Sequence, residues 1–157
     1  MTKTVHFKKP DLPPLGNLSD PVAQGGNTMM KLAPKIARIL LGLVFFIFGG
    51  AGLLNLFPPP PDMPQALQTF MNGIMSTGYF FPVLKGTETL CGLMLLVNIA
   101  PAIALVILAP ITVQILLLHG FLTPGIQNLV VPILVLVLHL IAAKGYWSVY
   151  RPLFKAK

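Results

Sequence analysis

Lys85 and Glu88 are the residues of this chain best equipped for chemistry: two opposite charges, three residues apart, in the otherwise apolar segment STGYFFPVLKGTETLCGLMLL. That spacing puts both side chains on one face of a helix, where each can neutralise the other. A charge at the centre of a membrane-spanning helix costs about 2.5 to 3.5 kcal/mol on insertion scales, so a pair held there needs a reason. Two readings stand side by side. In one, the pair is structural: Lys85 extends its stem toward the outer interface and the ion pair fixes the rotation of its helix. In the other, Glu88, one turn deeper, accepts protons in an outward-facing cavity with Lys85 beside it.

Gln114 and His119 occupy the segment LAPITVQILLLHGFL. By helical rise, Gln114 lies ~12 Å from the outer end of its segment, a depth similar to that of Glu88, so the two can meet across a helix boundary. An interhelical amide hydrogen bond contributes about 0.6 to 2 kcal/mol, and packing adhesive is the plainer role. His119 sits about one turn from the outer end, roughly 140° around the helix from Gln114. In the last apolar segment Asn128, Pro132, Val135 and His139 recur at four, three and four residues and define one face. A proton or quinone path along that face and a bundle interior with two satisfied polar groups both fit. Cys91 is the only cysteine, which removes disulfide exchange, and the three histidines are too scattered to read as a metal site. Gly42, Gly49, Gly50 and Gly52 lie inside an apolar run, so they form no phosphate loop. They let helices approach closely, and Gly49 to Gly52 is the expected contact surface of the first helix.

These residues must be positioned by elements suited to a bilayer. The chain has 157 residues, 55% hydrophobic and 10% charged, whereas about a quarter of a soluble domain is charged. Residues 89–143 contain no Asp, Glu, Lys or Arg, and about 20 apolar residues suffice for one spanning helix. A disordered tail protein and a disulfide-stapled secreted domain are excluded. The pattern predicts an all-α integral membrane protein, a bundle of four transmembrane helices at about residues 36–57, 79–98, 101–122 and 126–143. Pro58 to Pro61 must end the first span. Leu67, Phe70, Met71, Ile74 and Met75 recur at helical spacing after it, and predict a short amphipathic helix lying at the membrane interface.

Residues 1–34 are rich in Lys, Pro and Gly and read as a flexible cytoplasmic tail, not a signal peptide, since the first apolar run is too long for one. Residues 35–154 form the membrane domain and residues 155–157 a basic end. Lys and Arg collect near both termini, while the two loops assigned outside carry only Asp62, so both ends are expected in the cytoplasm. The net charge of +7 then reflects topology and attraction to anionic lipid, not a nucleic-acid site.

The segments ARILLGLVFFIFGGAGLLNLF, STGYFFPVLKGTETLCGLMLL and LAPITVQILLLHGFL together resemble the DoxX family of small four-helix bacterial membrane proteins. The likeness covers residues 38–153, and its more specific parts are GYFFPVLKGTE, with Lys85 and Glu88, and LAPITVQILLLH, with Pro110, Gln114 and His119. Gln114 stands where Asn is expected in similar proteins, a longer amide with the same hydrogen-bonding groups. The resemblance implies a bacterial inner-membrane location. Some members are membrane subunits of thiosulfate:quinone oxidoreductase, others join complexes protecting against oxidative stress, and many have no assigned reaction. Fold-level analogy does not choose among these.

The leading expectation is an accessory or assembly subunit of a membrane redox complex, associating with itself or with a redox partner. The alternative is a subunit in quinone-linked oxidation, with Glu88 and Lys85 handling protons beside a quinone headgroup held by Gln114 or His119. A small proton-coupled transporter comes third, since neither inverted repeats nor paired broken helices are visible.

Overall fold

A computed structural model of the chain describes residues 21–56 and 62–154, with side chains from Leu32 onward. The expected tail at residues 1–20, the proline block and the basic end at residues 155–157 lie outside the described residues. The chain runs through α1 (Pro21–Leu53), α2 (Gln65–Ser76), α3 (Phe80–Val97) and α4 (Pro101–Leu122). A 3-10 turn at Ile126–Leu129 leads into α5 (Val130–Lys144), followed by the short α6 (Trp147–Tyr150) and a second 3-10 turn at Arg151–Phe154. Among the described residues there is no strand.

The helix expected to start at about residue 36 begins at Pro21, and residues 21–34, read as a flexible tail, are helical. A proline at the first helical position loses nothing, since that amide has no intrahelical partner. The Gly25-Gly26 pair, read as loop, costs about 1 kcal/mol per residue in a helix. Extending a helix already nucleated by the long apolar run needs no new nucleus, and that favours continuation. Pro34 lies inside α1, and its ring faces Gly145, where an added Cβ would come within 2.6 Å of the proline Cβ.

Four stretches, Leu32–Leu53, Phe80–Val97, Pro101–Leu122 and Ile126–Lys144, are long and apolar enough to cross a membrane. The first ends at Leu53, four residues before the expected boundary, where Asn55 turns the chain with a positive φ of 52°. The four helices form a ring in which α1 packs on α3 and α5, and α4 packs on the same two neighbours. Each turns one stripe inward: Ala37, Leu41 and Phe45 on α1, Cys91 and Leu95 on α3, Ala104, Leu105 and Leu108 on α4, Val135 and Ala142 on α5. These recur at three- and four-residue intervals, so each stripe covers one helical face. The outward faces are also apolar, with Phe48, Val83, Leu90, Val106 and Leu140 all exposed. An apolar exterior around a packed apolar core is the arrangement a hydrocarbon solvent favours.

The connections are tight and locally specified. The Thr77 hydroxyl donates to the Ile74 carbonyl at 2.7 Å and accepts from the Phe80 amide at 3.1 Å, so it closes α2 and caps α3. Gly78, with φ of 73°, makes the turn between them in the left-handed region that favours glycine. At the other end of α3, Asn98 adopts a left-handed cap with φ of 60°. Pro101 then starts α4. Beyond α5, the chain folds back and the Tyr150 hydroxyl donates to the Ala102 carbonyl at 2.8 Å. Burial, and then the neighbouring Tyr146, lift the Tyr150 phenol above its usual range.

Candidate functional site

The inner face of α3 carries Glu88, 3% exposed, among Cys91, Gly92 and Leu95. Its Oε2 accepts a hydrogen bond from Lys85 Nζ at 2.8 Å, the ion pair that the i, i+3 spacing predicts. Two features of neighbouring residues make room for it. On α1, Gly49 lies against Glu88 and Thr89, and a Cβ there would come within 2.8 Å of the Glu88 Cβ. Gly52, one turn on, receives the Lys85 stem, whose Cδ would stand 2.8 Å from an added Cβ. The expected contact surface Gly49 to Gly52 therefore serves α3 of the same chain. On the other side the Lys85 ammonium stands 5.9 Å from the centre of the Phe81 ring, within cation–π range.

Lys85, Glu88 and Gln114 line one cavity of about 500 Å³ between α2, α3 and α4. Its other walls are apolar, among them Phe70, Met71 and Ile74 from α2 and Pro110, Ile111 and Leu118 from α4. Small-molecule sites of roughly 300 to 1,000 Å³ with a few polar groups in an apolar lining are the common form of a ligand pocket. Helix α2 covers it with Phe70, Met71 and Ile74; Leu67 is half-buried outside the lining, and Met75, the fifth member of the sequence pattern, is exposed. Part of the amphipathic face is thus turned toward the bundle. The depth matching of Glu88 and Gln114 placed them at one level, and the ring order, with α3 beside α4, brings them to one cavity.

His119 does not line this cavity. Its Nδ1 hydrogen donates to the Ile115 carbonyl of its own helix at 2.8 Å, and its own carbonyl accepts from the Thr123 hydroxyl at 2.8 Å. The face Pro132, Val135, His139 of α5 is buried as a unit. There Thr112 of α4 meets His139: the hydroxyl donates to the Leu108 carbonyl at 2.9 Å and lies 2.9 Å from His139 Nδ1. This contact joins α4 to α5 by a buried polar pair. Asn128 is half-buried and donates to the Pro124 carbonyl at 3.1 Å, closing the turn before α5. Nothing in the sequence singles out Thr112. A hydroxyl bound across helices leaves no periodic signal.

At the opposite end of the bundle, Arg38 Nη1 donates to the Asn98 Oδ1, joining α1 to the α3 cap. Among the described residues no group of three or more His, Cys, Asp or Glu could hold a metal ion. No family model, curated protein or solved structure matches the chain.

Proposed function

We propose that the chain is a DoxX-like membrane subunit that holds the headgroup of a quinone-class molecule between α2, α3 and α4 and assembles with a redox partner. The observation that carries the reading is the cavity itself: an apolar enclosure of about 500 Å³ whose polar lining is Lys85, Glu88 and Gln114. An aromatic headgroup fits the Phe70, Phe81 and Ile111 walls, and the Gln114 amide can donate to a quinone oxygen. Oxidation of a hydroquinone releases two protons and two electrons. In this reading Glu88 takes up the two protons one after the other and passes each to water, and Lys85 holds the carboxylate each time a proton has left. In this reading the electrons pass to the redox partner. That division of labour favours an accessory role within a larger redox complex over a self-sufficient enzyme. In the same reading α2 lies at the outer membrane interface, both termini face the cytoplasm, and the membrane is a bacterial inner membrane.

Binding of a short-chain benzoquinone to the purified protein in lipid nanodiscs, followed by calorimetry, tests the site. Ile111→Trp fills the cavity and weakens binding by roughly tenfold or more, equivalent to at least about 1.4 kcal/mol. Glu88→Gln keeps the volume but slows hydroquinone oxidation when the redox partner is present as electron acceptor. Equal affinity in the wild type and Ile111→Trp rules the cavity out as the site.

A further inference from the structure

The second cavity lies at the other end of the ring, where α1 enters and α5 leaves. It has a volume of about 900 Å³, and its lining brings together Lys35 and Arg38 of α1, Asn98 of the α3 cap, Lys144 of α5 and Tyr146 beyond it. Three cations converge there, and the lining contains no carboxylate. Among the described residues the carboxylates are Asp62 and Glu88, neither of which lines it. Surface charge that merely sets membrane orientation needs only to be near the helix ends, with each side chain free to extend into water. Arg38 is held differently. One Nη is tied to Asn98, and its Nε is buried without a hydrogen-bond partner. A buried donor left unpaired costs about 1 to 3 kcal/mol, and more on a charged group.

We propose that this cavity binds a phosphate group, with Arg38 at its inner wall and Lys35 and Lys144 at its rim. Guanidinium groups engage phosphate oxygens through charge-assisted, often paired hydrogen bonds, and Arg38 brings its guanidinium to the cavity lining. The two lysines are exposed and close over a dianion or diester as mobile point charges. Pro34, Ile141 and Tyr146 supply an apolar side to the same cavity, which suits the glycerol end of a phospholipid. Basic pockets between spanning helices take anionic headgroups in this manner. A phospholipid and a free phosphate compound share the chemistry, and the experiment separates them.

The full chain in a neutral detergent is titrated with phosphatidylglycerol, with phosphatidylcholine, and with inorganic phosphate against chloride at equal ionic strength, and thermal unfolding is followed. Saturable stabilisation by phosphatidylglycerol alone assigns the site to lipid. Stabilisation by inorganic phosphate as well assigns it to phosphate in general. Arg38→Gln weakens the apparent affinity by roughly tenfold. Should Arg38→Gln not fold, the double variant Lys35→Gln with Lys144→Gln, altered only at exposed rim positions, carries the same expectation. Arg151→Gln removes one charge at the same end outside the cavity and leaves the affinity unchanged. No stabilisation by either phosphate source, or an equal loss in Arg151→Gln, overturns the proposal and reduces these cations to diffuse surface charge.

Discussion

Lys85 is the cation that the described residues place on Glu88, and the carboxylate is nearly sealed from solvent. Removing one member of a buried pair leaves an uncompensated charge, which costs about 3 to 5 kcal/mol, whereas replacing both by neutral groups costs far less. Lys85→Met is therefore expected to lower stability by about that amount, and Lys85→Met combined with Glu88→Gln to recover most of it. Denaturant unfolding in detergent measures both. Equal stabilities would show that the pair does not govern the packing of α3. At this scale the sequence revealed the ion pair within one helix and missed the hydrogen bonds between helices. Lys85 and Glu88 are fixed by an interval of three along α3. Thr112 with His139 and Arg38 with Asn98 depend on ring order and helix rotation, and no single-chain periodicity encodes either.

Helix α1 crosses α3 where Gly42 faces Gly92. An added Cβ on Gly92 would lie 2.9 Å from both the Gly42 carbonyl oxygen and the Phe45 carbonyl carbon. Backbones this close exclude any side chain, and small residues at such crossings are how helices pack without a hydrophobic force between them. Gly92→Val is expected to destabilise by about 1 to 3 kcal/mol or more through overpacking. Gly73→Ala, in α2 where nothing lies within 4 Å of an added Cβ, should instead stabilise by roughly 0.5 to 1 kcal/mol. Thermal unfolding of the two variants decides it, and a Gly92→Val protein as stable as the wild type would contradict the close crossing. Apolar run length alone located the third span at its observed bounds, Pro101–Leu122. The first span was misjudged at both ends. Glycines at its start suggested loop although helix could propagate through them, and the prolines after it drew the boundary past Asn55.

The ring places the start of the first span beside the end of the last, since Pro34 meets Gly145 and Lys35 shares a cavity with Lys144. The proposed four crossings return the chain to one side, so reporters fused before Pro21 and after Phe154 are expected in the same compartment, with a third reporter at Asp62 in the other. Opposite compartments for the two ends would refute the four-span arrangement. At this scale hydropathy was sufficient to give the number of long apolar helices, because that number follows from the solvent rather than from side-chain fit. The lateral order of the helices, and hence which cavities exist, follows from packing and was not legible. The α1–α3 contact also bears on biogenesis. The ribosome delivers α1 first, and its Gly42 and Gly49 lack their folded neighbours until Glu88 and Gly92 emerge. Chaperone capture of this nascent hairpin half, and quality control of chains stalled before α3 arrives, would act on a glycine-lined strip that the finished fold conceals.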